Sequence, residues 1–223
     1  MAVGGEPPYK VIARALAGDI DSGGFEPGEK LPSEAELQRR FEGVSRDTVR
    51  AALGELARIG LTATQSTVGT FVRSYDRKPA PLAAVVGGRE VGASVDIRVV
   101  PPPAPVAELL PGETSVWWRR TLGELVVDSY YPRAVADRVP ELTEPTVLQA
   151  PDALLAQAGI VVADRRVRHV SRMPTMAEEA LLGTPPGTSL GEVLVALVDA
   201  EGRTVAVRAG TFRGDRFFIE HVL

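Results

Sequence analysis

Hydrophobic residues recur at three- and four-residue intervals in three short stretches near the start of the chain, as expected for helices with one buried face. The three stripes are Tyr9/Ile12/Leu16/Ile20, Leu37/Phe41 and Val49/Leu53/Leu56. A glycine follows each stripe, at Gly23, Gly43 and Gly60, where it can end the helix. The pattern therefore predicts three helices, with the second one short.

Residues that cap helices stand at the start of the second and third stripes. Ser33 and Glu36 form a Ser-x-x-Glu capping box, and Ser45 precedes the third helix, with Asp47 in its first turn. Residues 61–74 then place β-branched residues on either side of a polar turn, which predicts a small hairpin. The predicted order is helix, helix, turn, helix, hairpin.

The pattern changes after residue 74. Residues 75–94 mix proline, glycine and charged residues, as a linker does. Strands are predicted near 95–100, 115–122, 124–131, 160–172, 188–198, 203–213 and 216–222, and helices near 105–110, 146–158 and 175–182. Hairpin connections indicate a largely antiparallel sheet. The sequence thus predicts an α+β protein with a helical domain at 1–74, a linker at 75–94 and a sheet domain at 95–223.

Composition narrows the possible functions of this 223-residue chain. The net charge is −4, and acidic and basic residues balance over residues 1–78, so the negative excess lies beyond them. With no cysteine and neither histidine in a metal-ligand spacing, we expect no disulfide, no metal site and no cofactor. No apolar run reaches the roughly 20 residues of a membrane span and no signal peptide is apparent, so the expected location is the cytoplasm.

Two arginines stand out in the third predicted helix. Arg46 and Arg50 are one turn apart and lie on the face away from the apolar stripe. The second helix of a helix-turn-helix enters the major groove, and an arginine there can bind O6 and N7 of guanine together. Ser45 and Thr48 can add hydroxyl contacts to phosphate or base. A solvated helix face is the alternative, but the preceding helix and turn and the following hairpin favour DNA binding.

Three motifs in this region occur in order and in register: KLPSEAEL, GVSRDTVRAALGELARIGL and VGTFV. Together they resemble the winged helix-turn-helix of the GntR family of bacterial transcription regulators. The resemblance implies that Arg46 and Arg50 read the operator. It also implies that Gly69 and Thr70 lie at the tip of the wing near the minor groove, and that Ser33 lies near the phosphate backbone.

The resemblance covers about residues 9–73 and has two departures. Glu42 is one residue more than the family usually has in the turn, and Thr67-Val68 stand where the wing usually carries glycine and a basic residue. The departure in the wing implies a weaker grip on the minor groove, with more of the recognition left to the third helix.

The second half of the chain is similar to the UTRA ligand-binding domain of the HutC-type branch of this family. The similar stretches are VVDSYYPRAVADRVPELTE, EEALLGTPPGTSLGEV and DAEGRTVAVRAGTFRGDRFFIE. The resemblance implies a chorismate-lyase-like α+β domain that binds a small effector, often an anionic or polar one, and that mediates dimerisation.

The residues that match the family's pocket lie on several predicted strands. The candidate effector-binding residues are Arg119, Arg120, Ser129, Tyr131, Arg168, His169 and Arg208. Arginine binds a carboxylate or phosphate through two parallel hydrogen bonds, but only one of two neighbouring strand residues can point into a pocket. Ala206 and Arg208 replace the glutamate and serine often found before the FRGDR-like motif, which implies an unusual effector or none.

Three functional hypotheses follow. The leading one is a repressor that binds a pseudo-palindromic operator in double-stranded DNA as a homodimer, under the control of a small-molecule effector and without a membrane partner. The second is a constitutive repressor, such as a plasmid-transfer regulator, whose second domain only dimerises. The third is a lyase-like enzyme, although no matched acid–base pair is apparent in the sequence.

Overall fold

The computed structural model describes residues 6–87, 95–110, 112, 115–144 and 151–220. The chain packs as two compact units. The first unit consists of the chain up to Asp76 together with Glu179–Thr188. The second consists of Arg77–Glu178 and of the chain from Ser189 onward.

The first unit has the element order that the sequence predicts. Its elements are α1 (Pro8–Asp21), α2 (Glu34–Arg40), α3 (Arg46–Arg58) and the antiparallel strands β1 (Thr62–Gln65) and β2 (Gly69–Val72). The capping box at α2 is formed, because the Ser33 hydroxyl accepts from the Glu36 amide while the Ser33 amide donates to the Glu36 carboxylate. Ser45 caps α3 through the amide of Thr48, at 3.1 Å.

The predicted apolar stripes meet in one core. Its fully buried members include Ile12, Leu16, Leu31, Leu37, Val49, Ala52, Leu56 and Val72. A hydrogen-bonded ion pair of 2.6 Å between Arg40 and Asp19 joins α2 to α1 at the surface. Three helices and the hairpin therefore surround a single hydrophobic centre, which fixes the side of α3 that faces solvent.

The segment Glu179–Thr188 completes the first unit. Arg73, just after β2, donates to the Pro186 carbonyl at 2.8 Å and to the Thr188 hydroxyl at 2.5 Å. Thr188 is buried. The unit is therefore built from two stretches of chain that are distant in sequence, which the pattern of hydrophobic residues did not indicate.

The second unit is organised around a six-stranded antiparallel sheet, as predicted. Its strands are β4 (Val95–Val100), β5 (Ser115–Leu122), β6 (Leu125–Pro132), β7 (Asp164–Arg172), β8 (Leu190–Val198) and β9 (Thr204–Arg213). Their order across the sheet is β4-β5-β6-β9-β8-β7. The strands β6, β8 and β9 are almost wholly buried on both faces, which explains why the hydrophobic residues 193–198 of β8 are continuous rather than alternating.

Each face of the sheet has its own hydrophobic cluster. The larger cluster includes Val116, Trp118, Val127, Tyr131 and Val195, and the smaller one, on the opposite face, includes Val106, Tyr130, Leu194 and Val207. Short helices accompany the sheet: α5 (Ala104–Ala107), α6 (Arg133–Ala136), a 3-10 helix (Pro140–Thr143), α7 (Pro151–Gln157) and α8 (Met176–Leu182).

The predicted linker contains regular structure. A short strand, β3 (Lys78–Pro79), pairs in parallel with β10 (Phe217–Phe218), and α4 spans Leu82–Gly87. Val85 of α4 is fully buried in the larger cluster of the second unit. The sequence did not predict this helix, because prolines and glycines surround it and its apolar residues are buried only by packing against the folded second unit.

The other differences from the prediction lie at the ends of elements. Residues 160–163 precede β7 rather than belong to it. The predicted strand 216–222 is described up to residue 220, and of these residues Phe217 and Phe218 are in a strand. Residues 145–150, the start of a predicted helix, lie outside the described residues. None of the helices in the described part of the chain is long and apolar enough to span a membrane.

Candidate DNA-binding surface and buried arginine cluster

The face of α3 away from the core carries the two arginines singled out in the sequence. The Arg46 and Arg50 side chains are 64% and 54% exposed. Ser45 keeps its hydroxyl 2.8 Å from that of Thr48, so both hydroxyl groups lie at the same end of the helix as Arg46. The four residues form one polar patch at the N-terminal end of α3.

A single carboxylate of α2 holds both arginines. Glu34 accepts from Nε of Arg50 at 2.9 Å and from Nε of Arg46. These hydrogen bonds, first that from Arg46 and then that from Arg50, hold the pKa of the Glu34 carboxyl below its usual value. Because Glu34 uses the Nε atoms, the Nη atoms of Arg46 remain for other acceptors, while Nη1 of Arg50 lies 3.9 Å from Asp47.

A groove of about 550 Å³ separates this patch from the hairpin. Its lining includes Ser33, Glu34, Arg46, Arg50 and the hairpin turn at 66–69. Ser33 is exposed at the start of α2, and its hydroxyl also contacts Glu36. Helix starts, arginine side chains and a protruding hairpin thus share one surface.

The wing differs in detail from what the sequence suggested. Thr67 occupies the left-handed backbone region, with φ of 64°, and Val68 is exposed at the turn. Thr70 is only 9% exposed, because its side chain turns toward Thr64 at 3.3 Å. The hydroxyl of Thr70 therefore lines the groove instead of projecting from the tip.

A lysine outside the wing brings a positive charge to it. Lys30 forms a bridge with Phe71 of β2, and its side chain crosses Gly69: a Cβ built there would lie 2.6 Å from the Lys30 Cε. Gly69 is thus needed for a close approach. Sequence reasoning missed Lys30 and Glu34, although both belong to the KLPSEAEL motif, because their roles depend on contacts with other elements.

The extra residue of the turn is accommodated at the surface. Glu42 is exposed, and Gly43 adopts φ of 80°, a conformation that suits glycine. The Gln38 amide donates to the Val44 carbonyl at 3.3 Å and bridges the turn. The turn between α2 and α3 is therefore closed, and α3 keeps its position on the core.

In the second unit, four predicted effector residues lie together in the interior. Arg120, Ser129, Tyr131 and Arg208 are buried on the face of the sheet that carries the larger hydrophobic cluster. Ser129 is the cross-strand partner of Arg208. Burial raises the pKa of the Tyr131 phenol, and the charges of Arg208 and Arg120 oppose that rise. Two arginines therefore lie within electrostatic reach of one buried tyrosine.

Arg208 is fully buried and is paired with an acidic residue. Its guanidinium donates through both Nη atoms to the carboxylate of Asp152, in the first turn of α7, and through Nη1 to the Val86 carbonyl at 3.1 Å. A buried guanidinium is tolerated only when it is paired and hydrogen-bonded. Asp152 was not singled out in the sequence, where an aspartate before an apolar helix reads as an ordinary first-turn residue.

The remaining three candidates lie elsewhere. Arg119 is on the opposite face of the sheet from Arg120, where it makes two hydrogen bonds of 2.7 Å to Asp128. Arg168 and His169 are exposed on β7, an edge strand, and Arg168 pairs with Glu108 at 2.7 Å. The alternation of side chains along β5 allows only one of the two neighbouring arginines to reach the interior.

Groups suited to a metal ion are absent from the residues that the structure describes: none brings three or more His, Cys, Asp or Glu side chains together. The ionisable groups near Tyr131 are Arg120, Arg208 and Asp152. What this interior offers chemically is a set of hydrogen-bond donors and positive charge.

Comparison with known proteins finds a family match within the first unit. The profile of the family described as "Bacterial regulatory proteins, gntR family" matches residues 8–72. The chain is 37% identical over 92 residues to the histidine utilization repressor of Klebsiella aerogenes; the aligned region covers 41% of this chain and 36% of that repressor. The chain therefore aligns with well under two thirds of that relative's length.

Solved structures extend the likeness of fold to the second unit. A crystal structure assigned to a GntR-family transcriptional regulator has a TM-score of 0.60 at 24% identity and covers 98% of both chains. The effector domain of PhnF from Mycobacterium smegmatis has a TM-score of 0.52 at 22% identity, covering 66% of this chain and 98% of that one. Residues 8–72 therefore match the gntR family of bacterial regulatory proteins, and the fold of the whole chain is similar to that of a structure assigned to a GntR-family regulator.

Proposed function

We propose that the protein is a transcriptional repressor that binds a pseudo-palindromic operator as a homodimer and is controlled by a small-molecule effector in the cytoplasm. The observation that carries the proposal is the pair Arg46 and Arg50, exposed on α3 beside the wing and held by Glu34. With Nε engaged, the two Nη atoms of Arg46 can meet a guanine edge in the major groove.

The other DNA contacts follow from the same surface. Ser33 and Ser45 stand at the starts of α2 and α3, where backbone amides and hydroxyl groups suit phosphate oxygens. Thr48 extends the patch on α3, and Gly69 lets Lys30 reach the wing. Thr70 supports the groove from within.

The effector site that we propose is the interior around Arg208. Arg120, Ser129, Tyr131 and Arg208 supply positive charge and hydrogen-bond donors in the protein interior, where such groups bind an anion strongly. Arg119, Arg168 and His169 lie away from these four residues and are not part of the site that we propose. Effector binding in the interior and operator binding by α3 would be coupled reciprocally.

The experiment that tests this function is fluorescence anisotropy with a labelled duplex from upstream of the protein's own gene, against a scrambled duplex, over a salt series. A repressor should bind the first duplex selectively, with nanomolar affinity that weakens as salt rises. Equal, weak binding to that duplex, to its scrambled control and to a tiled set of neighbouring promoters would contradict the proposal.

A constitutive repressor is the second candidate. It is favoured by one observation: Arg208 already has a carboxylate partner, so the charge of its guanidinium is compensated without a ligand. A metabolite screen by thermal shift separates the two, since a ligand at 100 times its Kd adds about 2.7 kcal/mol of stability.

An enzyme is the least favoured reading. Burial raises the pKa of the Tyr131 phenol, so this group holds its proton near neutral pH and does not serve as a general base there. Incubation of a bound ligand with the protein should return it unchanged.

A further inference from the structure

We propose that the carboxylate of Asp152 is an internal substitute for the effector's anionic group: it occupies the anion position at Arg208, and an anionic effector binds by replacing it. The proposal rests on the effector site proposed above and concerns what holds that site closed. It assigns to Asp152, on α7, a role in setting the affinity for ligand.

The first support is the burial of Arg208. Its side chain is 0% exposed, whereas that of Asp152 is 25% exposed. A guanidinium in the interior needs an anion, because leaving one partner of a buried ion pair unpaired is strongly destabilising. Asp152 is therefore the partner that can withdraw toward solvent, while Arg208 is held between two strands of the sheet.

The second support is a set of donors that Asp152 does not reach. Among the described residues, Nε of Arg208 is buried without a hydrogen-bond partner, and so are the Ser129 and Tyr131 hydroxyls apart from their interaction with each other. Buried polar groups are almost always paired, so such a cluster marks a place where a ligand or water belongs. The carboxylate of Asp152 binds only the Nη atoms of Arg208.

The third support is the position of these donors in the sheet. Ser129 lies opposite Arg208 in the register of β6 and β9, and Tyr131 is two residues further along β6 on the same face, so these donors are neighbours on the inner face of the sheet. Arg120, on the next strand, adds a second buried positive charge to the same region, as its effect on the pKa of Tyr131 shows. An anionic group with several oxygens would accept from more of these donors than Asp152 does.

The ligand chemistry that follows is an anionic oxygen group on a small molecule. Phosphate and carboxylate share this chemistry and differ in the number of oxygens that can accept hydrogen bonds. If Asp152 is the internal substitute, removing its charge should open the position to either anion added from solution.

The test uses the full-length protein and the variant Asp152→Asn, followed by thermal unfolding in chloride, in inorganic phosphate and in acetate at matched ionic strength. The variant should unfold at a lower temperature than the wild type in chloride. Saturating phosphate should raise its Tm by about 5 °C or more, while the wild type responds much less. A larger response to acetate than to phosphate would identify a carboxylate as the preferred group.

The matched control is Asp128→Asn. Asp128 is also buried and pairs with an arginine, Arg119, but on the opposite face of the sheet. Its loss should lower the Tm without creating a response to phosphate. An equal response of both variants would show nonspecific anion stabilisation and overturn the proposal, as would the absence of any anion response in Asp152→Asn.

A folding failure of Asp152→Asn is also informative. Recovery of folded variant from purification in phosphate but not in chloride would support the exchange, and failure in both would contradict it. The double variant Asp152→Asn/Arg208→Met removes both charges and should fold in chloride with no phosphate response. None of these measurements involves DNA, so loss of the repressor hypothesis and loss of this one are distinguishable.

Discussion

Glu34 sets the geometry of both arginines of α3, although it is not itself on that helix. Its two carboxylate oxygens accept from one nitrogen in each guanidinium group, so the protein itself restrains both side chains, which would be pre-ordered for the DNA contact proposed above. Fixing a flexible side chain in advance reduces the entropy lost on binding. In the proposed complex, the negative charge of Glu34 would also disfavour nonspecific contact of this patch with DNA phosphates.

Loss of either arginine should weaken specific DNA binding and leave the fold unchanged. We expect Arg46→Ala or Arg50→Ala to weaken operator binding by about tenfold to a hundredfold, since a bidentate base contact contributes about 1–3 kcal/mol. Arg58→Ala, at the other end of α3 and paired with Glu55, is the control and should bind normally. Anisotropy and circular dichroism measure the two properties; an arginine variant that binds like the wild type would refute the assignment of α3.

Removal of the Glu34 charge should affect selectivity more than affinity. We expect Glu34→Gln to bind scrambled DNA several-fold more tightly and to lose about tenfold in the ratio of specific to nonspecific affinity. Glu42→Gln removes the same charge from the exposed turn and is the matched control. An unchanged ratio of specific to nonspecific affinity in Glu34→Gln would mean that the Glu34 charge is not needed to orient Arg46 and Arg50.

At the scale of elements, α4 approaches the sheet only because β9 carries a glycine. A Cβ built on Gly210 would lie 2.3 Å from Cγ2 of Val85, so no larger residue fits without a shift of α4. This approach also brings the Val86 carbonyl to Arg208. Sequence reasoning could not find it, because a glycine in a strand and a short apolar stretch in a proline-rich region do not reveal that they meet.

Replacing that glycine should therefore destabilise the second unit. We expect Gly210→Ala to lower the free energy of unfolding by about 1–3 kcal/mol through overpacking, measured by urea denaturation. Gly54→Ala in α3 meets no atom within 4 Å and should instead stabilise its helix by up to about 1 kcal/mol. A neutral Gly210→Ala would show that α4 is free to move outward.

An arginine that pairs with two glutamates, where β7, α8 and β8 meet, should make the free energy of unfolding depend on pH in the acidic range. Arg172 donates to Glu178 at 2.6 Å and to Glu192 at 2.9 Å, and the first of these hydrogen bonds holds the pKa of Glu178 at about 2. Because this folded-state pKa lies below the unfolded value of about 4.3, its contribution is complete above that value and is lost as the pH falls toward 2.

We therefore expect wild-type unfolding free energy to decrease between about pH 5 and pH 2, and Glu178→Gln to show a shallower decrease from a lower starting value. Urea denaturation across this range measures the slope. Glu141→Gln, in the 3-10 helix, is the comparison variant. Parallel slopes for Glu178→Gln and the wild type would mean that the ion pair does not persist in solution.

For the molecule as a whole, the proposed homodimer would impose a fixed distance between the two half-sites of its operator. Insertion of five base pairs between the half-sites turns one of them by about half a helical turn and should weaken binding by at least tenfold. Insertion of ten base pairs should restore part of the affinity. Equal affinity for all three duplexes in the anisotropy assay would indicate that the protein binds as a monomer.

Much of the architecture could be predicted from the sequence because its signals are local. Helix caps such as Ser33 and Ser45, and the apolar stripes of the helices, depend on neighbours three or four residues away. Hydrophobic and β-branched residues close together in sequence indicate the strands. The choice between Arg119 and Arg120 depends instead on strand register, and the roles of Lys30, Glu34 and Asp152 depend on other elements. Such pairings are tertiary and have no local signature.

The two-part composition of the first unit limits how this protein can be cut and recombined. A hybrid regulator made by splicing residues up to Asp76 onto a foreign sensor would lack Pro186 and Thr188, the partners of Arg73. In such a hybrid, Arg73 would lose these two hydrogen-bond acceptors. A first unit transferred to another protein must therefore include residues 179–188 as well as the N-terminal stretch.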